Sequence, residues 1–236
     1  MNFISVQNSL KLSIGVQILV FILTSHALFL KIPKEDVMID SLLKIETSVQ
    51  IVEALAYALL IYFSVKVKDM TRYRYYDWFL TTPLMLLTLC GLLEYTKEKT
   101  TFQNFVHVHK NTLGKLFIYN ALMLFFGYLG ETKAMTPYIA YAIGFFFFFK
   151  TFDLIQKTWT QETNGKKDND PSFAQTKQIY DIFVGLWLLY GIFAFTNPFI
   201  KNHAFNILDL LSKNAFGVFL YLKVLSLNKQ FKKSKC

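Results

Sequence analysis

The chain has 236 residues, a length that suits one or two soluble domains, but 53% of them are hydrophobic and 25 are phenylalanine. At a mean hydropathy of +0.33, a water-soluble protein of this size could not bury so much apolar surface. The net charge of +9 does not indicate a nucleic-acid partner, because the lysines lie in connecting segments and in the tail without a pattern of arginine or aromatic residues between them. The two cysteines form neither a disulfide framework nor the spacing of a metal site, so no metal is expected.

Apolar runs of about 20 residues, the length that crosses a bilayer core, alternate with charged breaks along the chain. We therefore predict an all-α membrane protein, a seven-transmembrane-helix bundle that forms a single domain over residues 1–236. The polar segment 157–177, with Asn164, Gly165 and an Asp170-Pro171 turn signal, is predicted to be a solvated connector. The predicted spans are 9–31, 42–65, 75–95, 113–130, 136–157, 177–197 and 203–227.

The distribution of positive charge predicts the orientation of the bundle. The segments on the side of the C-terminal tail carry 17 lysines and arginines, and those on the side of the N-terminus carry 7. Because positively charged loops stay on the inner side of the membrane, we predict the N-terminus outside and the C-terminus inside. The stretch from Met1 to Leu10 lacks the basic start of a secretory signal, so the first run is interpreted as a retained span.

Polar side chains share one face of the second predicted span. Glu46, Gln50 and Glu53 are spaced so that they lie on one stripe of a helix. Glu46 is close enough to the inner end to reach the headgroup region, whereas Glu53 lies too deep for that. A stripe of this kind along a wet crevice would replace water around a cation and exclude anions. A neutral stripe on the first span, which would form the opposite wall or hydrogen-bond between helices, consists of Ser13, Gln17 and Thr24.

Charged residues also lie inside the third and the seventh spans, where burial is costly unless a partner is present. Asp209 and Lys213 are four residues apart, so one helical turn places a carboxylate and an amine on the same face. An ion pair that merely holds two helices together would explain these two residues. Asp77, with Arg74 one turn outward, adds a second acid, and two acids beside one lysine suit an amine that forms a Schiff base.

The runs RYRYYDWFLTTPL and LDLLSK resemble the third and seventh helices of the microbial rhodopsins. The resemblance extends over essentially all seven spans. It implies that all-trans retinal is bound to Lys213 as a protonated Schiff base, that Asp77 and Asp209 are its counterions, and that Arg74 is their partner on the outer side. It also implies that the protein is not an enzyme.

The same resemblance implies a pocket for the retinal polyene. Gly191 and Ala194 stand where many relatives have a proline and a further aromatic residue, so we expect a thinner wall there. Packing in the core or against lipid is the alternative explanation for most of the aromatic residues, and no individual residue is predicted among Phe145 to Phe149. The expected pocket residues are Trp78, Thr82, Met123, Gly127, Trp187 and Tyr190.

The third span bears on the choice between a pump and a channel. In outward proton pumps of this family a carboxylic acid inward of the primary acceptor returns the proton, and Thr88 occupies that place. A hydroxyl cannot hold and donate a proton as an acid does, which disfavours rapid pumping. Ser212 and Asn214 around the lysine, together with the glutamates of the second span, resemble the channelrhodopsins of giant algal viruses.

The sequence therefore predicts a light-gated cation channel, with a light-driven outward proton pump as the alternative and a photosensor as a third reading. Algal channels couple the chromophore to gating through a hydrogen bond between the third and fourth helices, which Thr82 and Asn120 would provide here. The expected partners are the lipid bilayer and monovalent cations or protons. The resemblance implies a multi-pass integral protein of a host cell membrane and leaves a homo-oligomer open. The expected ion pathway consists of Ser13, Glu46, Gln50, Glu53, Thr81, Asn120, Asn206 and Asn214.

Overall fold

The computed structural model describes residues 5–160 and 171–235, and these residues are almost entirely helical. A wider π turn, Leu210–Asn214, joins the helix Pro198–Asp209 to the helix Ala215–Lys233, so that the three pieces form one continuous helix, called the seventh helix below. The predicted connector 157–177 falls largely outside the described residues. The helices are α1 (Val6–Ala27), α2 (Val37–Tyr62), α3 (Val67–Lys97), α4 (Phe102–Glu131), α5 (Pro137–Ile155), α6 (Pro171–Phe193), α7 (Pro198–Asp209) and α8 (Ala215–Lys233).

Side-chain caps define where three of the helices begin. The hydroxyl of Ser5 accepts a hydrogen bond from the backbone of Asn8 before α1, and the hydroxyl of Thr101 does the same before α4. Asn197 caps the seventh helix, and Pro198 follows at its first position. These caps satisfy backbone N–H groups that have no partner within the helix, and proline tolerates the first turn because it needs no such partner.

Six helices among the described residues are long and apolar enough to cross a membrane. They are α1, Lys34–Tyr62, α3, α4, Pro137–Thr160 and the seventh helix. α6, with 23 residues, completes the bundle by packing against α3 and α7. The predicted fold, a bundle of seven helices, is confirmed, whereas the sidedness of the two termini stays a prediction.

The helices are packed so that α3 lies at the centre of the molecule. Neighbouring helices from α1 to α5 contact one another in chain order, and the seventh helix closes the bundle against α1, α2 and α3. Of the six helices above, α3 has the largest buried share. A residue on α3 is therefore surrounded by other helices, and a charge there must find its partner within the protein.

The apolar runs clearly underestimate three helices because their ends are polar. α4 begins at Phe102 rather than at residue 113, α3 covers Val67–Lys97 rather than 75–95, and the seventh helix covers Pro198–Lys233 rather than 203–227. His107 and His109 therefore lie on α4. His107 is exposed, whereas Nε2 of His109 lies 3.2 Å from a carboxylate oxygen of Glu94.

Candidate functional site

Lys213 lies in the middle of the bundle, on the π turn of the seventh helix. Its side chain is 1% exposed, and its Nζ lies 2.7 Å from Oδ2 of Asp77 and 3.5 Å from Oδ1 of Asp209. A third acid, Glu53, places Oε1 4.0 Å from the same nitrogen. Turns of this kind insert one extra residue into a helix and are frequent at functional sites. Carboxyl groups from α2, α3 and α7 thus converge on one amine.

Asp209 is held by hydrogen bonds on both carboxylate oxygens. Tyr57 donates its hydroxyl to Oδ2 at 2.7 Å, and Tyr190 donates its hydroxyl to Oδ1, also at 2.7 Å. Arg74 forms an ion pair with Oδ2 at 3.0 Å. Hydrogen bonds from neutral and charged donors stabilise the ionised form of a buried carboxylate, so these contacts favour a negative charge on Asp209.

Asp77 has a different environment although it contacts the same lysine. Its Oδ2 accepts a hydrogen bond from Lys213, but its Oδ1 is buried and has no hydrogen-bond partner among the described residues. The hydroxyl of Thr81, one turn inward, donates to the backbone carbonyl of Asp77 at 3.0 Å and not to its carboxylate. Of the two acids predicted as counterions, Asp77 is therefore the less constrained, with an oxygen free to take a proton.

Arg74 lies outward of the two acids and is itself buried. Its guanidinium donates to the hydroxyl of Tyr57 at 2.8 Å, to the side chain of Asn206 and to that of Asn202 at 3.3 Å. The position predicted for Arg74, one turn outward of Asp77, agrees with this geometry. Tyr57 and Asn202 are not among the predicted site residues. Tyr57 shares a helix face with Glu53, but a buried tyrosine in an apolar helix more often has only a packing role.

Replacing Tyr57 by phenylalanine should lower the thermal stability of the protein without changing its helical content. The substitution removes the hydroxyl that bridges Arg74 and Asp209, and one hydrogen bond to a charged group contributes about 1.5–3 kcal/mol. The measurement is thermal denaturation of the purified protein. Tyr62→Phe is the matched control, because Tyr62 lies in the same helix and is 80% exposed; equal melting temperatures for the two variants would contradict the role of Tyr57.

The charges at this site balance only if one acid is neutral. Two cations, Lys213 and Arg74, face three carboxyl groups, and unpaired charge in a low-dielectric interior is strongly destabilising. Asp209 forms ion pairs with both cations, Arg74 and Lys213. Asp77 forms an ion pair with Lys213. Glu53 is the most distant of the three acids from Lys213, and it accepts a hydrogen bond from the amide of Asn214 at 3.0 Å. A neutral Glu53 therefore completes the cluster.

An apolar cavity extends from Lys213 between α3, α4, α5 and α6. One end is formed by the amine and by Ser212, and the walls are almost entirely hydrocarbon. All the residues that were predicted to form a pocket contribute to its lining: Trp78, Thr82, Met123, Gly127, Trp187 and Tyr190. The structure thus brings these six residues together around the path that leads to Lys213.

The wall beside Gly191 is thicker than the sequence suggests. A Cβ atom at Gly191 would lie 2.4 Å from the ring of Phe145, so the aromatic ring of α5 occupies the space that a larger residue on α6 would fill. Phe145 lines the cavity together with Phe148. The expectation of a thinner wall at Gly191 is therefore wrong, because the side chain that completes the wall comes from another helix.

The contact predicted between the third and fourth helices is present. The amide Nδ2 of Asn120 donates to the hydroxyl of Thr82 at 2.8 Å, and Thr82 in turn donates to the backbone carbonyl of Trp78 at 2.7 Å. Both Trp78 and Thr82 line the cavity. A displacement of the cavity wall on α3 would therefore be transmitted to α4.

A second group of polar side chains, here called the polar seam, lies where α1, α2 and the seventh helix meet. All of its members are at most 3% exposed. Several of their polar atoms have no hydrogen-bond partner among the described residues, including one oxygen each of Glu46 and Glu53. Buried polar atoms of this kind are normally satisfied by ordered water or by an ion. The polar seam consists of Ser13, Gln17, Thr24, Glu46, Gln50, Glu53 and Asn214.

The other residues of the predicted ion pathway lie outside the polar seam. Asn206 is on its outer side, where it contacts Arg74 and donates to the hydroxyl of Ser9 at 2.7 Å. Thr81 is buried beside Asp77. Asn120 is separated from the seam because it hydrogen-bonds to α3 on the side of the cavity. Asn206 adjoins the seam, because the hydroxyl of Ser13 donates to its backbone carbonyl at 3.5 Å, whereas Thr81 and Asn120 lie apart from it.

Comparison with known proteins agrees with this geometry. Residues 8–227 match the family described as bacteriorhodopsin-like protein. A green-light absorbing proteorhodopsin from Gamma-proteobacterium EBAC31A08 is 25% identical over 163 residues, which cover 64% of this chain and 60% of that protein. The matched region is thus less than two thirds of the relative's length.

Two solved structures share the fold over nearly the whole chain. The viral rhodopsin OLPVRII has a TM-score of 0.79 at 23% identity and covers 94% of this chain and 98% of its own. The light-driven proton pump rhodopsin of Coccomyxa subellipsoidea has a TM-score of 0.72 at 18% identity and covers 92% of this chain and 96% of its own.

The family implies a retinal chromophore, and the residues of the cavity fit this molecule. Retinal is an apolar polyene that ends in an aldehyde, and the cavity has hydrocarbon walls with a buried primary amine at its end. Space is tight along the wall, since a Cβ atom at Gly127 would lie 2.7 Å from the hydroxyl of Tyr75. A match over residues 8–227 covers far more than half of the chain, which therefore belongs to the bacteriorhodopsin-like family and is a microbial rhodopsin.

Proposed function

We propose that this protein is a light-gated cation channel in which all-trans retinal is attached to Lys213. The observation that carries the proposal is the polar seam, which begins at Glu53, 4.0 Å from the Lys213 nitrogen, and continues along α2 to Glu46. Retinal bound as a Schiff base would supply light absorption and a change of shape. The remaining steps depend on side chains of the chain itself.

The ion pairs at Lys213 hold α3 and the seventh helix together in the dark. When a proton leaves the lysine nitrogen for Asp77 or Asp209, both members of one pair lose their charge. The attraction between opposite charges in a low-dielectric interior is large, so its loss loosens the centre of the bundle. Asp77 has the freer oxygen, but the two acids share one lysine and titrate together. Arg74 keeps the outer side closed through its contacts with Asn202 and Asn206.

Glu53 connects this event to the polar seam. It lies in α2, and it is joined to the π turn of the seventh helix by the hydrogen bond from Asn214 at 3.0 Å. A change of charge at Lys213 alters the field at Glu53 and weakens the contact between the two helices. Water and a cation could then pass between α1, α2 and the seventh helix, where carboxyl and amide oxygens favour cations over anions.

One contact favours the alternative, a light-driven outward proton pump. The hydroxyl of Thr88 donates to Oε2 of Glu46 at 3.3 Å. A carboxyl group from α2 therefore stands beside the place where α3 offers only a hydroxyl, and it could return a proton from the inner side. The Coccomyxa protein of the same fold is described as a light-driven proton pump. In this alternative Asp77 is the acceptor and no continuous pore is needed.

We place the protein as a multi-pass protein of a host cell membrane, with the N-terminus outside and the tail inside. The whole chain, residues 1–236, would act as one retinal-binding domain. Monovalent cations or protons are the proposed ions, and assembly into a homo-oligomer is compatible with exposed apolar side chains on the outer faces of the helices. Nothing in the proposed mechanism requires a metal or a nucleic acid.

A current-voltage curve under illumination separates the channel from the pump. Cells that express the full chain are supplied with retinal and recorded with different cation concentrations on the two sides of the membrane. A channel gives photocurrents whose reversal potential follows the cation gradient, and Glu53→Gln should reduce the cation current severalfold because it removes the carboxyl group of the polar seam that lies closest to Lys213. Glu98→Gln, in the short connection after α3, is the control. A current of one sign at every voltage, with acidification of the outer medium, would contradict the channel and support the pump.

A further inference from the structure

Gln50 occupies the middle of the polar seam, between the two acids on the same helix face. It is 0% exposed, as are Glu46 one turn inward and Glu53 one turn outward. One atom of its amide, Oε1, is 2.8 Å from the hydroxyl of Thr24 on α1. The other, Nε2, has no hydrogen-bond partner among the described residues. The side chain therefore reaches across the seam from α2 to α1, and only the oxygen of its amide is held by a hydrogen bond within the described residues.

The amide nitrogen of Gln50 lies against Gly217 of the seventh helix, in the space that a side chain at position 217 would fill. A Cβ atom at Gly217 would lie 2.0 Å from Nε2 of Gln50 and 3.6 Å from Cγ2 of Thr24. Contacts as short as 2.0 Å do not occur between real atoms, so any residue larger than glycine at this position would displace the amide. Because the side chain of Gln50 is flexible, a larger residue at position 217 would displace its amide without moving the helices. Glycine at position 217 is what allows Gln50 to close the gap between three helices.

Polar atoms that have no hydrogen-bond partner within residues 5–160 and 171–235 lie on both sides of Gln50. On the inner side is Oε1 of Glu46, and on the outer side are Oε1 of Glu53 and Oδ1 of Asn214. Both sides therefore offer oxygen atoms that can bind water or a cation. Gln50 stands between them, and it is neutral, so it would not trap a passing cation as a carboxylate would.

We propose that Gln50 is a movable plug that separates an outer compartment at Glu53 from an inner compartment at Glu46, with Thr24 as its tether and Gly217 as its seat. This inference rests on the proposed function, for which it supplies the residue that limits the size of the ion in the inner half of the path. Rotation about the side-chain bonds of Gln50 carries the amide away from Gly217 and joins the two compartments. The amide then offers a donor and an acceptor in place of water.

The test compares three variants of the full chain, each supplied with retinal. Gln50→Ala removes the plug, Gly217→Ala pushes it out of its seat, and Thr24→Val removes the tether. In each case we expect the permeability of methylammonium relative to Na⁺ to rise, by about threefold for Gln50→Ala and less for the other two, because the pore is no longer narrowed by the amide. Gly15→Ala is the control, since a Cβ atom at Gly15 meets nothing within 4 Å.

A second measurement keeps the inference separate from the channel assignment. Flash spectroscopy follows how fast the visible band recovers, and water that reaches Glu53 from the inner side should speed the recovery in Gln50→Ala, Gly217→Ala and, to a smaller extent, Thr24→Val, but not in Gly15→Ala. If no variant carries passive current, the proposed channel fails, and a faster recovery still supports the plug. If passive current is present but selectivity and recovery equal those of the control, the channel stands and the plug is refuted. Should Gly217→Ala fail to form a pigment, Gln50→Ala and Thr24→Val decide by the same two readouts.

Discussion

Purified Lys213→Ala protein should stay colourless after retinal is added, whereas the wild-type chain should gain a visible absorption band. Lys213 supplies the amine at the end of the apolar cavity, and it is within 3.5 Å of two carboxylates that stabilise positive charge on its nitrogen. Without a primary amine no imine forms, so the loss should be complete rather than partial. The measurement is the absorption spectrum before and after addition of the aldehyde.

Two further variants show whether the loss is due to the missing amine or to the missing charge. Lys213→Arg retains a cation beside Asp77 and Asp209 but cannot form an imine, so it should also stay colourless while it melts at a higher temperature than Lys213→Ala. Lys229→Ala, at an exposed residue in the C-terminal part of the same helix, should keep the band. A visible band that persists in Lys213→Ala would refute the assignment of this residue.

Replacing the two aspartates with asparagine should have different results, although both acids contact Lys213. Asp209→Asn removes the anion that is bonded to Tyr57, Tyr190 and Arg74. Breaking a buried ion pair in this way costs about 3–5 kcal/mol, so the main effect should be a large loss of thermal stability. The measurement is the temperature at which the visible band disappears.

Asp77→Asn should mainly affect the colour and the proton transfer. Its carboxylate contacts Lys213 through one oxygen, while the other oxygen has no hydrogen-bond partner in the part of the chain that the structure describes, so fewer protein contacts are lost. A negative charge beside the lysine nitrogen stabilises the ground state of the chromophore more than the excited state, and its removal should shift the band to longer wavelength. Loss of a proton acceptor should slow the proton transfer by about 10²-fold or more, as measured by flash spectroscopy.

The order of these effects tests the difference between the two acids. Asp153→Asn, at an exposed carboxylate that pairs with the exposed Lys157, controls for the substitution itself and should change neither stability nor colour. If Asp77→Asn were the less stable variant and Asp209→Asn the one with the slower proton transfer, the assignment of the fixed charge and the acceptor would have to be reversed.

The residues closest to Lys213 were accessible to sequence analysis because their types are rare in apolar helices. A lysine and an aspartate four residues apart, and a second aspartate in another span, stand out against a hydrocarbon background. The periodicity of the α-helix then places each on a definite face. Trp78 and Trp187 were predicted from the resemblance to the microbial rhodopsins, because each lies in register with residues of the family's motifs.

Other site residues carry no such signal. Asn202 bonds to Arg74 across 128 residues of chain, and no local pattern connects the two. Tyr57 resembles an ordinary packing residue until its hydroxyl is found between Arg74 and Asp209. Phe145 belongs to a run of five phenylalanines, and only the packing of α5 against Gly191 of α6 shows which ring lines the cavity.

The sequence by itself determined that this protein is a membrane bundle of seven helices with an amine among acids at its centre, since helix length, apolarity and spacing are local properties. Only the tertiary structure decided which carboxylate is hydrogen-bonded on both oxygens and which is not. Among the described residues both oxygens of Asp209 have partners and one oxygen of Asp77 has none, and the amide of Gln50 packs against Gly217. The reason is physical: spacing sets the face on which a side chain lies, but the partner it meets depends on how neighbouring helices are rotated and shifted, to within the width of an atom.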